Sequence, residues 1–382
     1  MKLDAGWLHH PSTRKAVAAL QDQGHSAWFV GGCVRNALLA EPVGDIDLAT
    51  TARPEQTIAA AKLADLKSIP TGIDHGTVTV VADGMPFEIT TLRRDVATDG
   101  RRATVAFADR IEEDAARRDF TMNALYADPE GCVLDPVGGL PDIMARRVRF
   151  IGDADARLSE DRLRALRFFR FHAWYGSGED GPDPDALAAI ADHLDGLSIL
   201  SKERVRAELL KLLSAPNPAP AVASMEKIGV LARLVPGASG AALGVLVHLE
   251  SEIEAPPNPI RRLAAICDTR NPVDLRLSRK EARLLSDIRH AAEGTAGAGE
   301  LAYRMGKDVA MDALLVRAAL TGSALPNGWR GSLEEGETAA FPIKAADLQS
   351  TYEGPALGER LRMLEDRWIA SGFKLSRESL LA

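Results

Sequence analysis

Apolar positions recur at helical spacing from Ser12 to Gln23 and stop at Gly24, which predicts an amphipathic helix. Ala27-Trp28-Phe29-Val30 is a short apolar run ending at Gly31-Gly32, the pattern of a buried strand. Val34 to Leu39 predicts a helix closed by Glu41-Pro42. Gly44-Asp45-Ile46-Asp47-Leu48 alternates polar and apolar and predicts a half-buried strand. Gly76 to Val81 and Phe87 to Leu92 predict two more strands, joined by a turn at Asp83-Gly84. Strands and helices thus alternate to about residue 150, which predicts an α/β or α+β head.

Beyond Phe150 the strand signal fades. Ser159, with Glu160 and Asp161 behind it, predicts the start of a helix running to about Trp174. A Gly/Pro/Asp loop follows from Gly176 to Pro184. Helical patterns then cover 185–194, 202–213, 218–228, 259–265, 279–292, 309–320 and 357–370. Pro216, Pro218 and Pro220 predict a boundary, because proline interrupts helices. The expected organisation is a head over 1–150, a helical segment over 151–215, and a further helical region over 216–382.

Composition narrows the class. The chain has 382 residues, 46% hydrophobic and 26% charged, which suits globular domains and excludes disorder over most of its length. No apolar run reaches the ~18–20 residues of a membrane span, and the first residues lack a signal-peptide core, so a cytoplasmic location is expected. The three cysteines, Cys33, Cys132 and Cys267, form no disulfide or zinc pattern. The formal net charge is −8, which disfavours a nucleic-acid partner on average. Distribution reverses that reading locally: between Met144 and Arg170, eight arginines face four acids.

Candidate chemistry begins with Asp45 and Asp47, two residues apart on a predicted strand and therefore on one face. Adjacent carboxylates repel unless a cation lies between them, and Mg²⁺ takes such a pair together with water and substrate phosphates. A D-x-D sequence more often marks a turn or a solvated face. Upstream, Gly31-Gly32-Cys33-Val34-Arg35 joins a strand to a helix, where glycines admit close backbone approach, helix-start N–H groups attract phosphate and Arg35 adds a charged donor. Arg117-Arg118-Asp119 and the glycine turn Asp135-Pro136-Val137-Gly138-Gly139-Leu140-Pro141-Asp142 each admit a purely structural role.

Asp161, Arg164, Arg167 and Arg170 step by three along a predicted helix. Neighbours at this spacing touch, but the row drifts by ~60° per step. As surface ion pairs they contribute only ~0.3–0.5 kcal/mol. Their other use is chemical. A carboxylate accepts from an exocyclic amine while a guanidinium donates to a ring nitrogen, an edge that cytosine and adenine share. Uracil and guanine invert it and leave buried polar groups unpaired, at ~1–3 kcal/mol per group.

Together these residues resemble the class II tRNA nucleotidyltransferase/poly(A) polymerase family, and within it the bacterial CCA-adding enzymes. The matches run in order through Gly31-Gly32-Cys33-Val34-Arg35, Asp45-Ile46-Asp47, Arg117-Arg118-Asp119, Asp135–Asp142 and Glu160-Asp161-x-x-Arg164. The resemblance implies an α+β fold, with a nucleotidyltransferase-type β-sheet head followed by an all-helical neck, body and tail. It implies Mg²⁺ on Asp45 and Asp47, triphosphate contacts from Gly32 and Arg35, and nucleotide contacts from Arg118, Asp161, Arg164, Arg167 and Arg170. Asp161 and Arg164 would be the base-reading pair. The implied substrates are CTP, ATP and the tRNA 3′ end, with the helical C-terminal region holding RNA and no protein partner or membrane involved.

Asn36 departs from the pattern, since the family usually carries Asp after the Arg. Asp99-Gly100-Arg101-Arg102 resembles the loop needed for the final A, which disfavours an enzyme adding only C. No His-Asp phosphohydrolase motif is found. Glu88 could assist the metal pair but reads more simply as a surface residue, Cys33 as packing and His75 as a loop residue. The nearest rival, poly(A) addition, is disfavoured because Thr50 to Ser68 carries only Arg53, Lys62 and Lys67 as basic residues. A non-catalytic RNA-binding module is disfavoured by the retained aspartates and arginines. A small-molecule nucleotidyltransferase is disfavoured by the long helical C-terminal region.

Overall fold

The computed structural model describes residues 1–98, 103–178, 180–268 and 274–382, so the motif Asp99-Gly100-Arg101-Arg102 lies outside the described residues. The chain divides into two compact units: Met1–Val205 with Lys227–Leu234, and Arg206–Glu226 with Val235–Ala382. No helix among the described residues is long and apolar enough to cross a membrane.

The first unit begins with α1 (Pro11–Gln21), β1 (Ala27–Val30), α2 (Gly32–Leu38), β2 (Asp47–Thr50) and α3 (Pro54–Leu63). Next come β3 (Lys67–Gly72), β4 (Thr77–Ala82), β5 (Met85–Thr91) and the hairpin β6 (Arg93–Thr98) and β7 (Ala103–Phe107). Then follow α4 (Ile111–Ala116), β8 (Tyr126–Ala127), β9 (Val133–Leu134) and α5 (Leu140–Met144). Seven strands form one sheet in the order β3-β4-β5-β2-β1-β8-β9, and β6-β7 stands apart as a two-stranded sheet. In the larger sheet β2 runs parallel to β5, and the other neighbours are antiparallel.

The predicted alternation around Asp47 holds, although pairing starts at Asp47 and not at Gly44. Ile46 and Leu48 are buried, Asp47 is half-buried and Asp45 is exposed. Because β1 pairs Phe29 with Leu48 in antiparallel register, its C-terminal end and Gly31 come to the end of the sheet where β2 begins.

The helical part of this unit corrects one expectation. In place of a single helix starting at Ser159, there are two, α6 (Ala154–Glu160) and α7 (Leu163–Tyr175). Asp153 caps α6 by accepting from the Ala156 N–H at 2.8 Å. Asp161 is extended (φ −152°, ψ 108°), and its carboxylate accepts from the Leu163 N–H at 3.0 Å. The side chain thus starts a new helix where the sequence suggested an interior turn. The helix α8 (Pro184–Asp192) follows.

Phe120, Phe150, Phe168 and Phe171 pack as one aromatic group with centroids 5.1–6.3 Å apart, and Phe120 forms a β-bridge with Phe150. This cluster joins the segment after α4 to α7, with Phe168 and Phe171 on the face of α7 that packs inward.

Asp114, at 1% exposure, is the electrostatic counterpart of that cluster. It accepts from Arg117 at 2.6 Å, from Arg118 at 3.0 Å and from the Tyr126 hydroxyl at 2.6 Å. Burial alone would raise its pKa, but the Arg118 and Arg117 charges and the Tyr126 bond outweigh burial and bring it to about 2.

The helix α9 (Lys202–Leu213) crosses the division between the units, as does α10 (Ala219–Lys227), while α11 (Val230–Leu234) belongs to the first. The second unit contains α12 (Leu243–Glu252), α13 (Pro259–Ile266), α14 (Arg279–Glu293), α15 (Ala298–Met305) and α16 (Lys307–Thr321). It ends with α17 (Trp329–Thr338), α18 (Gly354–Ala370) and α19 (Arg377–Leu381). Pro216, Pro218 and Pro220 lie within this unit around the start of α10. Its core includes a buried ionic network. Arg261 meets Glu250 and Asp312, each at 2.7 Å, and Arg262 meets Glu250 at 2.7 Å and the Leu213 carbonyl at 2.7 Å.

Two stability outcomes are expected. Glu250→Ala leaves two buried guanidinium ions short of an anion and destabilises the second unit by ~3–5 kcal/mol, read by calorimetry. For Asp114 the folded pKa lies below the ordinary Asp value, so its contribution of ~2 kcal/mol is present above about pH 4 and disappears as pH falls towards 2. Asp114→Asn removes that part of the acid dependence, and unchanged acid unfolding in the variant refutes the assignment.

Candidate functional site

At the end of β1 the chain turns through Gly31, whose φ of +72° no β-branched residue adopts without strain. The backbone conformation, and not crowding, demands glycine here, since a Cβ would meet an Arg118 guanidinium nitrogen at 3.6 Å, an ordinary contact. Beyond this turn lies a cavity of about 440 Å³. Gly31, Gly32, Arg35, Asp47, Arg118, Asp161, Arg164 and Arg167 line it, with Arg117, Asp119, Asn123, Leu163, Phe171 and Arg204. Six arginines against three aspartates give the cavity a strongly positive wall in an acidic protein. With only seven residues, α2 has a small dipole, so the positive potential comes from the guanidinium groups.

Asp45 and Arg170 are the two expected residues outside this lining. Asp45 is exposed just before β2. Arg170 is half-buried, with its guanidinium carbon 4.4 Å from the Phe171 ring centroid. The angular drift of an i, i+3 row accounts for this: Arg164 and Arg167 face the cavity, and the next step rotates away.

Asp47 is the acidic centre. Burial, the neighbouring Glu88 and then Asp45 push its pKa up to about 6, against a smaller opposing effect of Arg118. Glu88 is exposed, as expected of a surface residue, yet it sits directly beside Asp47 in the parallel β2-β5 register. Like-charged carboxylates held together in this way favour a bound cation. Among the described residues no group of three His, Cys, Asp or Glu is assembled to hold a metal. A two-carboxylate set matches Mg²⁺, which draws its remaining ligands from water and phosphate.

The arginines are held from behind. Arg117 and Arg118 share Asp114, and Arg118 also donates to the Tyr126 hydroxyl at 3.2 Å. Arg167 donates to Asp119 at 2.7 Å, and Asp119 in turn accepts from the Asn123 amide at 2.9 Å. Burial would raise the Asp119 pKa, but Arg167 and these hydrogen bonds lower it. Arg35 donates to Asn123 at 2.6 Å, to Asn36 and to the Tyr175 hydroxyl at 2.9 Å, and burial lowers its pKa.

Asp161 and Arg164 both reach the cavity wall, but they are not paired with each other. Asp161 meets Arg204 at 2.6 Å. Arg164 meets the Glu160 carboxylate and donates to the Arg157 carbonyl at 3.0 Å. Arg204, Asn123 and Phe171 are cavity residues that the sequence did not single out. Arg204 lies 43 positions from its partner and carries no local signal, whereas Asn123 lies only four residues beyond the Arg117-Arg118-Asp119 motif.

The remaining motif residues are structural. Asp135 accepts from the N–H groups of Gly139 and Leu140 at 2.7 and 2.9 Å. A Cβ at Gly139 would fall 2.4 Å from the Thr121 carbonyl oxygen. Asp142 accepts from the Thr121 hydroxyl at 2.6 Å, so the whole turn fixes the 121–123 segment behind the cavity. Cys33 is buried, with its pKa pushed up to about 11 by burial, in keeping with a packing role.

Known proteins resemble this chain over most of its length. Residues 27–149 match the poly A polymerase head domain, and residues 182–241 match the probable RNA and SrmB-binding site of polymerase A. The CCA-adding enzyme of Geobacillus stearothermophilus is 34% identical over 343 residues, covering 86% of this chain and 82% of the relative. The mitochondrial CCA tRNA nucleotidyltransferase 1 of Mus musculus is 31% identical over 381 residues, covering 94% and 86%. The crystal structure of the Bacillus stearothermophilus CCA-adding enzyme in complex with CTP superposes with a TM-score of 0.71 at 28% identity, covering 95% of this chain and 94% of that one. With its sheet-based head, helical remainder and relatives of this identity and coverage, the chain belongs to the tRNA nucleotidyltransferase/poly(A) polymerase family of CCA-adding enzymes.

Proposed function

We propose that the arginine-lined cavity binds CTP or ATP and transfers its nucleotidyl group to the tRNA 3′ hydroxyl, so that C and A are added without a nucleic-acid template and pyrophosphate leaves. The observation that carries this reading is the convergence of Asp47, Asp161 and six arginines, Arg164 among them, on one cavity. The head, residues 1–150, is the catalytic part; residues 151–215 form the neck that selects the nucleotide; residues 216–382 bind RNA.

Asp45 and Asp47 are the residues that would hold Mg²⁺, which when bound acidifies the attacking hydroxyl and stabilises the leaving oxygen. Gly31 and Gly32 admit the triphosphate close to the backbone, and Arg35 and Arg118 neutralise its oxygens. Arg167 extends the positive wall beside the nucleotide, and Arg170, which lies outside the lining, adds positive charge farther along α7. Asp161 accepts from the exocyclic amine of cytosine or adenine, and Arg164 donates to the adjacent ring nitrogen. Uracil and guanine present the opposite polarity to both. Transfer of this kind depends on positioning and charge stabilisation, so no Ser or Cys nucleophile is required.

Incubation of tRNA lacking its 3′ end with each nucleotide alone, then with all four, tests the activity. A ladder stopping after three additions is expected, whereas an open-ended A ladder overturns the assignment in favour of poly(A) addition. Asp47→Ala lowers incorporation by ~10²-fold or more. Its melting temperature holds or rises, because a carboxylate pressed against Glu88 has been removed. Retained activity in that variant removes Asp47 from the metal site. Asp161→Ala reduces the preference for C and A over U and G by ~10- to 100-fold, measured with four labelled nucleotides. Strict selection in that variant defeats the edge-matching scheme.

A further inference from the structure

Five of the six cavity arginines have a carboxylate partner: Arg117 and Arg118 on Asp114, Arg164 on Glu160, Arg167 on Asp119 and Arg204 on Asp161. Arg35 differs. It is 7% exposed, and among the described residues its side-chain partners are the neutral Asn36, Asn123 and Tyr175. Its guanidinium also lies over the Tyr175 ring, 4.0 Å from the centroid. Asp119 acts on it only through space, and no carboxylate among the described residues bonds it directly. A buried cation with so little direct compensation is costly, so this arrangement is suited to an anion arriving from the cavity.

Asn36 is central to that arrangement. Its amide oxygen accepts two bonds from Arg35, at 3.0 Å from Nε and 2.8 Å from Nη2. Its amide nitrogen donates to the Pro42 carbonyl at 2.7 Å. The partners fix the amide's orientation, because a guanidinium only donates and a carbonyl only accepts. The backbone adds to the tie: the Glu41 N–H donates to the Asn36 carbonyl at 2.8 Å, and Ala40 takes the left-handed conformation (φ 56°) that ends α2. The segment held in this way leads directly to Asp45 and Asp47.

We propose that Asn36 is a positioning residue for nucleotide binding, a neutral clip that aims Arg35 at the triphosphate without neutralising it and ties it to the loop preceding the aspartates. The inference rests on the reading of Arg35 as a triphosphate contact. An aspartate at this position would accept from Arg35 equally well. It would also place a counter-charge in direct contact with Arg35, and it would set a carboxylate oxygen against the Pro42 carbonyl where a donor now stands.

The test is titration with inorganic tripolyphosphate in EDTA at several salt concentrations, by calorimetry, with each variant's melting temperature recorded. Asn36→Asp is expected to raise the tripolyphosphate Kd about tenfold and to flatten its salt dependence, as Arg35→Gln does, because both remove one net positive charge from the ligand's surroundings. Asn36→Leu is expected to weaken binding by a similar factor with the salt dependence intact, since Arg35 stays charged but loses its aim. In the transfer reaction both Asn36 variants raise KM for CTP and ATP alike and leave the preference for C and A unchanged. Wild-type affinity in both Asn36 variants, with Arg35→Gln impaired, overturns the role of Asn36 alone. Wild-type affinity in Arg35→Gln overturns the reading of Arg35 and the inference with it. Loss of affinity in both variants that merely tracks a lowered melting temperature, with unaltered salt dependence in Asn36→Asp, assigns Asn36 to the fold and also overturns it.

Discussion

Concentrating six guanidinium groups on one cavity is electrostatically unfavourable unless negative charge stands behind them. Asp114 and Asp119, both below 10% exposure, supply part of it. Each is kept ionised against its burial by the arginines it holds. The consequence is directional. Asp114 takes donors from Arg117 and Arg118 and Asp119 from Arg167, which restricts how these three side chains can turn and lowers the entropic cost of presenting them to a ligand. The aromatic cluster of Phe120, Phe150, Phe168 and Phe171 then determines where α7 brings Arg164 and Arg167 against the end of the sheet. Charge and packing therefore act on the same short stretch of chain, between α4 and β8.

The legible parts of the sequence were those whose periodicity has a single interpretation. Asp45, Ile46, Asp47 and Leu48 alternate, and their burial alternates with them. The Gly31-Gly32 turn and the arginine row of α7 came from local pattern alone. Residues 67–72 are mostly exposed and contain Pro70, so they offered no strand signature, yet they pair as the edge strand β3. The break at Asp161 was missed because Asp161 reads equally well as a residue of a first helical turn or as the cap of a new helix. Only the preceding cap at Asp153 decides between them. Arg204 was beyond reach: its pairing with Asp161 depends on the placement of α9 and not on any local period.

The net charge of −8 was a weak guide because it averages over surfaces that never meet the same ligand. A polyanion responds to the field inside the cleft it enters, and that field falls off within about one Debye length, ~8 Å at physiological salt. Acidic residues elsewhere, such as Asp153 and Asp183 at their helix N-caps, serve local hydrogen bonding and lie outside the cavity lining. A cavity walled by arginines therefore suits a phosphate-bearing ligand even though the chain as a whole is acidic.

The same accounting bears on base selection. Asp161 uses one oxygen for the Leu163 N–H and the other for Arg204. A carboxylate offers about four acceptor sites, so it can take an exocyclic amine without surrendering either partner. Arg164 likewise holds Glu160 and the Arg157 and Arg117 carbonyls through two of its nitrogens. In the proposed scheme the pair is pre-positioned by contacts that a correct base would leave in place. A base presenting a carbonyl to Asp161 gains no bond there and sets two acceptors face to face. Discrimination in this scheme arises from the penalty on the wrong edge more than from extra attraction to the right one, which is why rigidity at the break between α6 and α7 matters as much as the identity of the two side chains.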